Sequence, residues 1–352
     1  MSKVFYVGGA YGGCNYVRCL LPAIANGWKT NHTGISTKSI KPIDIVMREM
    51  MEADVIVFHR ANSDWHHIAA IELKKAGKKI AFDNDDTYHL DKTHAFYGLD
   101  EKGFKENKRR TNNVINNFIL NSDLVTCSTE YLAKEYREIN PNVVVIPNMV
   151  NPDDWDTPLR NTGGQVRIGV SGSVLYAHDF HLVEKELRAL DEDPRVQLVM
   201  FGLQSQKMRD TNPKTEEVHK REYGFWDTLK NIERVPWCPM EEYFYTLNEL
   251  RLDIMLIPRK ESYFNKCKSN VKFLEASMLE IPVVTNYFKD CPYEKDGDYL
   301  VWAKDWLKDL EPLIKDKKLR HNIGKRANKY VIKNYNIWEQ GDRYENIYNN
   351  IK

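Results

Sequence analysis

The residues best suited to chemistry form one charged stretch, NKCKSNVKFLEASMLEIPVVT at residues 265–285. If this stretch is helical, Lys268, Lys272 and Glu275 share one face, because helical residues three or four positions apart lie side by side. The N-terminus of a helix carries a partial positive charge, so two lysines beside it suit an anionic group such as a diphosphate. Glu275 could accept hydrogen bonds from neutral hydroxyls such as a ribose diol. The alternative is an amphipathic helix whose charged face is only solvated.

The ends of this helix can be predicted from the same residues. Ser269 or Asn270 can cap the N-terminus, and the helix should end before Pro282. An apolar stripe, formed by Val271, Leu274 and Met278, runs beside the charged face. A short buried strand is expected at residues 283–285. The helix should therefore lie on a sheet and present its N-terminus to a cleft.

The elements that position this helix follow a repeated pattern of strand and helix. Strands are expected at residues 4–7, 54–58, 79–82, 124–126 and 143–146, and again at 166–170, 196–201, 253–257 and 283–285, with helices between them. Each half begins with a strand and a small-residue loop. This pattern predicts an α/β protein with two Rossmann-like domains, each with a parallel sheet, that face an interdomain cleft. The expected domains are 1–150 and 165–330, with a final helical segment at 331–352.

Ligands of parallel sheets bind at the carboxyl ends of the strands, so the residues that follow each strand are candidates. In the first half they are Gly8–Gly13, His59-Arg60, Asp83–Asp86 and Ser128. We predict a catalytic role for His59, Asp83, Asp85 and Asp86. The DNDD segment at 83–86 permits three interpretations: a functional group of the cleft, a Mg²⁺ or Mn²⁺ site, or a capping turn.

A local basic cluster lies at Lys102, Lys105, Lys108, Arg109 and Arg110. Such a cluster is either a solvated helix face or a surface for an acceptor that carries phosphate. On the second interpretation, Arg60, Lys105 and Arg109 are expected to bind the acceptor.

Composition excludes several classes of protein. The chain of 352 residues has 51 Lys and Arg against 50 Asp and Glu, so a globally basic nucleic-acid-binding protein is not indicated. No apolar run has membrane-spanning length, and no signal-peptide pattern begins the chain. The six cysteines form no CxxC pair, as expected for reduced thiols of a cytoplasmic protein. A nicotinamide enzyme is disfavoured, because Ala10 replaces the middle glycine of the dinucleotide fingerprint and no acidic residue appears before Asp44.

Several stretches resemble a known group of enzymes. The segment from Phe264 to Val284 resembles the donor-site signature of retaining glycosyltransferases with the GT-B fold. The branch it is most similar to occurs in bacterial surface-polysaccharide synthesis and in phages. The stretches that agree with this branch are Gly13–Pro22, Phe82–Asp86, Ile168–Asp179 and Tyr335–Tyr344.

The resemblance implies a set of donor-binding residues. Lys268, with Arg259 or Lys266, would bind the donor diphosphate, and Glu275 would hold the nucleotide ribose. The other residues expected at the donor are Gly12, Gly13, Arg18, Ser171, Gly172, Ser173, Asn265, Ser269 and Asn270. One departure stands out: the wider family usually has a sugar-contacting glutamate at the position of Cys267. Asn265 and Glu261 are candidates to replace it.

The resemblance also implies an activity. The chain is expected to be a hexosyl- or pentosyltransferase that uses a nucleotide sugar, most simply a UDP-sugar, with no tightly bound cofactor and no requirement for a divalent metal. The acceptor would be a glycan, a lipid-linked saccharide or a hydroxymethylated pyrimidine in phage DNA, and the location the cytoplasm, that of the host if a phage encodes the protein. The alternatives are a nucleotide-sugar epimerase or hydrolase of the same fold, and a non-catalytic nucleotide-sugar-binding protein.

Overall fold

The protein is built on two parallel β-sheets of six strands each. The computed structural model describes residues 2–9, 12–32, 40–89, 105–106, 108–109, 111–172, 177–202, 224–293 and 298–351. The first sheet contains β1 (Val4–Val7), β2 (Lys29–Thr30), β3 (Val55–His59), β4 (Lys79–Asn84), β5 (Leu124–Cys127) and β6 (Val143–Val145). The second contains β7 (Val166–Ser171), β8 (Val196–Phe201), β9 (Glu233–Val235), β10 (Ile254–Ile257), β11 (Val283–Thr285) and β12 (Val301–Trp302).

Helices connect the strands and cover both faces of each sheet. Helix α1 has three consecutive parts, Gly13–Asn15, a π-helical turn Tyr16–Leu20, and Leu21–Asn26. The first sheet also carries α2 (Ile43–Glu52), α3 (Asp64–Lys75), α4 (Asn116–Leu120) after a π-helical turn at Thr111–Ile115, and α5 (Glu130–Arg137). The second half carries α6 (Ala177–Phe180), α7 (Glu184–Glu192), α8 (Met240–Glu249), α9 (Tyr263–Cys267), α10 (Val271–Met278), α11 (Trp306–Lys315), α12 (Lys317–Tyr335) and α13 (Ile337–Asn349). Because helices cover both faces, strands such as β3 and β10 are buried along their whole length.

The order of the strands defines where a ligand can bind. The first sheet runs β2-β1-β3-β4-β5-β6 and the second β12-β11-β10-β7-β8-β9. The chain therefore reverses its direction of progress between β1 and β3 and between β7 and β10. Side chains at the carboxyl ends of these strands face the crevice that such a reversal opens.

The last helix packs against the first sheet and not the second. The Tyr348 ring contacts Tyr6 and Trp28 edge-on, with ring centroids 6.1 and 5.6 Å apart, and the Tyr348 and Tyr6 hydroxyls are 3.2 Å apart. Ile337, Tyr344 and Tyr348 belong to the same core cluster as β1. The C-terminus thus stabilises the first sheet through apolar burial.

The structure confirms the predicted fold class, two parallel-sheet α/β units that face a cleft. It also contains elements that the sequence did not predict: β2, β9, β12, α2 and α9. The predicted helix over the charged stretch spans Val271–Met278, with Asn270 at its N-cap position and its end before Pro282, as expected. A separate short helix, Tyr263–Cys267, precedes it.

Candidate functional site

A cavity of about 320 Å³ lies between the two halves of the chain. It receives residues from the loop after β1, from the connection between the sheets, from the ends of β7 and β8, and from helices α8 and α10. The described residues that line it are Gly12, Gly13, Cys14, Tyr16, Val17, Asp85, Asn148, Met149, Val150, Asn151, Asp154, Trp155, Ser171, Gly172, Phe201, Gly202, Trp237, Cys238, Met240, Tyr243, Phe244, Val271, Lys272 and Glu275. Five of the predicted site residues on this list, Gly12, Gly13, Ser171, Gly172 and Glu275, were assigned to donor binding, and one, Asp85, to catalysis.

Glu275 is held in the cavity wall by two donors. The Tyr243 hydroxyl donates to Glu275 Oε2 at 2.7 Å, and Lys272 Nζ lies 3.0 Å from the same oxygen. Lys272 Nζ also lies 2.9 Å from the Tyr243 hydroxyl and 3.5 Å from Ser171 Oγ. The carboxylate therefore has a fixed orientation, and its second oxygen can accept hydrogen bonds from ligand hydroxyls.

The first turn of α10 faces the same cavity. Val271 and Lys272 both line it, so the positive end of the helix dipole and the Lys272 ammonium act on one volume. The Ser171-Gly172 loop after β7 forms the adjacent wall. Gly202, at the end of β8, has a φ of 74°, and a Cβ there would lie 3.3 Å from the Gly172 carbonyl oxygen. The two backbones approach closely at this point. Because neither glycine has a side chain, a ligand can reach the backbone of both loops.

The predicted catalytic residue Asp83 does not line the cavity. Arg18 Nη2 and Nε donate to its two oxygens at 2.5 and 3.1 Å, and Thr126 Oγ1 donates to Oδ1 at 2.6 Å. His59 Nδ1 lies 2.9 Å from Asp83 Oδ2. All four side chains are buried. Arg18, predicted to bind the donor, is thus used in a buried ion pair beneath the cleft.

The charges around Asp83 and Asp85 keep both carboxyls ionised. Burial alone would raise their pKa values. The Arg18 guanidinium, together with hydrogen bonds from His59 and Arg18, overcomes burial and holds the pKa of Asp83 at about 2. The Arg60 guanidinium, followed by His59 and Arg18, holds the pKa of Asp85 well below its usual range. Both residues are therefore fixed anions, which fits hydrogen-bond acceptors better than general acids.

Arg60 lies at the cleft beside Asp85. Its Nε donates to Asp85 Oδ1 at 2.7 Å, and its Nη2 lies 3.2 Å from Cys14 Sγ. His59 Nε2 is 3.9 Å from Asp85 Oδ1 and, among the described residues, has no hydrogen-bond partner. Of the four predicted catalytic residues, only Asp85 lines the cavity. His59 lies between Asp85 and the buried Asp83 and contacts both.

Lys268 forms an ion pair across the cleft. Its Nζ lies 2.6 Å from Asp86 Oδ2, and it also lies 4.3 Å from the centre of the Phe264 ring. The neighbours of Lys268 are tied to the first half as well: Thr129 Oγ1 donates to the Cys267 carbonyl at 3.1 Å, and Asn148 Nδ2 donates to Ser269 Oγ at 2.9 Å. The loop between α9 and α10 is therefore held against the half of the chain that contains the first sheet.

Cys267 occupies the position at which the resemblance implied a sugar-contacting glutamate. Its side chain is fully buried and belongs to the core cluster of the first sheet. Burial raises the pKa of its thiol, so the group is neutral. A residue here packs between the halves of the chain and does not line the cavity.

Arg259 and Asn265 form a second buried network at the end of β10. Arg259 Nη1 lies 3.7 Å from Asp179 Oδ2, and Asn265 Nδ2 donates to Asp179 Oδ1 at 2.7 Å and to the Lys260 carbonyl at 2.9 Å. Both predicted donor residues are buried and support the loop after β10. Burial raises the pKa of Asp179 despite the Arg259 guanidinium.

The remaining predicted residues lie elsewhere. Lys266 pairs with Glu261 at 2.9 Å, and Asn270 Nδ2 donates to the Tyr335 hydroxyl at 3.2 Å. Ser173 lies outside the described residues. Lys105 and Arg109 are exposed, and Arg109 pairs with Glu106 at 2.8 Å. None of these four described residues lines the cavity.

An aromatic wall of the cavity was not predicted. Phe201 stacks on Tyr243 at 5.7 Å, Tyr243 contacts Phe244 edge-on at 5.8 Å, and Phe244 contacts both Tyr16 and Trp155, at 5.5 and 4.7 Å. Aromatic residues within a helix or strand pattern suggest only core packing, so this wall could not be predicted from the sequence. Lys272, by contrast, stood on the predicted charged face and could have been included with Glu275.

Asp154, in the connection between the sheets, also lines the cavity. The Tyr16 hydroxyl donates to its Oδ2, and Asn151 Nδ2 donates to its Oδ1 at 2.9 Å. Burial raises the pKa of Asp154 to about 6. Among the residues that the structure describes, no group of three or more His, Cys, Asp or Glu side chains is placed to hold a metal ion.

Comparison with solved structures gives matches over nearly the full chain. HepE of Anabaena, solved with UDP and glucose, matches with a TM-score of 0.65 and 12% identity, covering 99% of this chain and 100% of that one. The fold is GT-B. An α-glucosyltransferase, solved with UDP and a 13-mer DNA containing an HMU base, matches with a TM-score of 0.64 and 12% identity, covering 99% of each chain. Sucrose-phosphate synthase from Thermosynechococcus elongatus matches this GT-B structure with a TM-score of 0.62 and 13% identity, covering 99% and 98%.

Sequence comparisons add no family. No protein-family model matches the chain, and no curated protein sequence matches it. Over the described part of the chain, no helix is both long and apolar enough to cross a membrane.

Proposed function

We propose that this protein is a glycosyltransferase that transfers a sugar from a nucleotide-sugar donor to a hydroxyl acceptor. The observation that carries the proposal is the Glu275 carboxylate, fixed by Tyr243 and Lys272 in a cavity between the two sheets of a GT-B fold. A carboxylate suits the hydroxyls of a ribose, and an ammonium and a helix N-terminus suit a diphosphate. The two kinds of group lie side by side, as a nucleoside diphosphate requires.

The chemistry that follows needs no covalent bond to the protein. Departure of a nucleoside diphosphate leaves negative charge on the phosphate oxygens, which Lys272 and the first turn of α10 would stabilise. The aromatic wall would keep water from the oxocarbenium-like carbon. We propose transfer with retention of configuration, in which the acceptor hydroxyl attacks on the face that the phosphate leaves. Asp85 would accept a hydrogen bond from that hydroxyl before the attack, and the hydroxyl proton would pass to the departing phosphate as its bond to the sugar carbon breaks.

UDP is the nucleotide we propose for the donor. HepE and the α-glucosyltransferase were both solved with UDP, which supports the choice through the shared fold. We propose that transfer proceeds without a divalent metal, because Lys272, Lys268 and the helix N-terminus supply positive charge to the diphosphate. The transferred sugar is proposed to be a hexose or a pentose, and the cavity residues that contact it would determine which.

The acceptor is proposed to be a glycan, a lipid-linked saccharide or a hydroxymethylated pyrimidine of DNA. The DNA alternative is supported by the α-glucosyltransferase solved with DNA and by the exposed cations Lys105 and Arg109. A gel shift with duplex DNA containing hydroxymethylated pyrimidines, at increasing salt, separates the alternatives. Binding that weakens steeply with salt supports DNA.

We further propose the domain limits 1–150, 165–330 and 331–352. The Ser171–Ser173 loop and Gly12-Gly13 are proposed to contact the donor. The proposed location is the cytoplasm, that of the host if a phage encodes the protein. Lys268, Arg60 and Asp86 remain assigned to the cleft, while Arg18, Asp83, Arg259 and Asn265 are assigned to its support.

A donor screen tests the proposal. The thermal midpoint should rise with a UDP-sugar, because a ligand that binds only the folded state stabilises it. Mass spectrometry should then show a sugar added to one acceptor class, with the same yield in the presence of EDTA. NMR of the product should show the donor's anomeric configuration. Release of free sugar without any acceptor would instead indicate a hydrolase.

A further inference from the structure

The ion pair between Asp86 and Lys268 joins the two sides of the cleft. Asp86 follows β4 of the first sheet, and Lys268 lies in the loop between α9 and α10 of the other half. The two charged atoms are 2.6 Å apart, and the side chains are 16% and 11% exposed. A pair so little exposed interacts more strongly than one at the surface.

The orientation of Lys268 differs from that of the lysine one turn later. Lys272 lines the cavity, whereas neither Lys268 nor Asp86 is among its lining residues. The Lys268 ammonium, which precedes α10 in sequence, is thus directed to a carboxylate of the opposite half. A phosphate oxygen and a carboxylate oxygen present the same charge and the same hydrogen-bond acceptor to an ammonium.

The contacts that flank Lys268 are of a different kind. Thr129 donates to the Cys267 carbonyl and Asn148 donates to Ser269 Oγ, both as neutral hydrogen bonds. Neither contact is an ion pair, so an anion that binds the Lys268 ammonium does not have to break either of them. An anionic ligand can therefore replace Asp86 as the partner of Lys268, while the contacts at Cys267 and Ser269 hold the backbone on both sides in place.

We propose that Asp86 occupies on Lys268 the place that the donor diphosphate takes when it binds. The inference rests on the proposed function and adds to it a competition between an internal carboxylate and the donor. Arg60 Nη2 lies 3.7 Å from Asp86 Oδ2, so the released carboxylate keeps a cationic neighbour. The Asp86 side chain also accepts from the Thr87 N–H at 3.0 Å, which holds it at the end of β4.

The exchange predicts that removal of the Asp86 charge strengthens donor binding. In Asp86→Asn, UDP no longer displaces an ion pair and no longer meets a nearby negative charge. Isothermal titration with UDP should give a Kd about fivefold lower than that of the wild type. UDP should bind Lys268→Gln more weakly than the wild type. The double variant Lys268→Gln/Asp86→Asn should bind UDP no more tightly than Lys268→Gln, because the ammonium for which Asp86 and UDP compete is gone.

Glu49→Gln is the matched control. Glu49 of α2 pairs with Lys41, which precedes that helix, at 2.7 Å; these side chains are 13% and 17% exposed, and neither lines the cavity. Its UDP affinity should equal that of the wild type. Asp86→Ser serves as a second variant should Asp86→Asn not fold, with the same expected direction.

Two results overturn the inference. Weaker UDP binding by Asp86→Asn would mean that Asp86 positions Lys268 for the donor, and unchanged binding would mean that the two do not compete. Both leave the proposed function intact, since the wild type still binds UDP. If the wild type binds no UDP or other nucleoside diphosphate, the proposed function fails and the inference fails with it.

Discussion

At the scale of single residues, the proposed donor site depends most on Glu275. Its carboxylate is bound by one hydroxyl and one ammonium, so it enters the cavity in a single orientation. A group fixed before the ligand arrives loses little entropy on binding. The loss of Glu275 should therefore strongly weaken the affinity for the nucleotide donor. It should affect the stability of the fold only weakly, because the residue lies on a cavity wall.

Substitution of Glu275 by Ala is expected to raise the Kd for UDP roughly 10- to 100-fold, the range for loss of hydrogen bonds to a charged group. Tyr243→Phe removes one of the two groups that orient Glu275 and should raise the Kd by about threefold to tenfold. Isothermal titration measures both. Equal affinity of Glu275→Ala and wild type would remove Glu275 from the donor site.

Asp83 is expected to act on stability. Asp83→Asn leaves Arg18 buried without its anion and should cost about 3–5 kcal/mol in the free energy of unfolding. The folded pKa of Asp83, about 2, lies below the ordinary value, so its contribution is complete above about pH 4 and disappears as the pH falls toward 2.

Urea unfolding at pH 7 and at pH 3 tests this role. The difference between wild type and Asp83→Asn should be larger at pH 7. A control, Glu106→Gln, removes an exposed pair and should leave stability unchanged. A difference that grows toward low pH would contradict the assignment of Asp83 as a buried anion.

The residues of the site were predictable to different degrees for a physical reason. Glu275 and the Ser171-Gly172 loop follow from helical spacing and strand ends, which are local. Asp83 lies inside β4 and Arg18 inside α1, and they pair beneath the cleft. This depth was not predictable, because depth below the surface depends on residues distant in sequence. Tyr243 joins Glu275 only through tertiary contact.

At the scale of elements, α13 returns from the second half to complete the first sheet's core. Tyr348 is 2% exposed and packs on Tyr6 and Trp28. Loss of so large a buried ring leaves a cavity that the surrounding side chains fill only in part.

Tyr348→Ala is therefore expected to lower the free energy of unfolding by about 3–5 kcal/mol. Denaturant unfolding followed by circular dichroism measures it. Tyr245→Ala, at a residue 63% exposed on α8, is the control and should change stability by less than about 0.5 kcal/mol. Equal effects of the two substitutions would show that α13 contributes no packing.

The elements that the sequence did not predict have weak local patterns, for different reasons. Strands β2 and β12 have two residues and β9 has three, too few to show an alternating pattern. In α2, the exposed apolar residues Ile43, Met47 and Met51 blur the contrast between its faces. Helix α9 merges with the following helix in sequence, and only three residues, of which Lys268 is extended, separate them.

At the scale of the whole molecule, two parallel sheets of six strands each place the carboxyl ends of their strands on one cavity. The first sheet contributes Asp85 and the glycine loop, and the second contributes Ser171 and Glu275. The strand and helix alternation predicted this arrangement, because a parallel sheet leaves few alternatives. The contacts at Cys267, Lys268 and Ser269, which close the cleft, could not be predicted, since they join residues more than 100 positions apart.

The most direct test is sugar transfer itself. Wild type and Glu275→Ala are incubated with a UDP-sugar and each acceptor class, and the products are followed by mass spectrometry. The wild type should yield UDP and a glycosylated acceptor, and Glu275→Ala should lose at least about 90% of that yield at donor concentrations below the variant's Kd. Equal transfer by the two proteins, or no transfer by the wild type from any nucleotide sugar, would contradict the assignment of this cavity as a donor site.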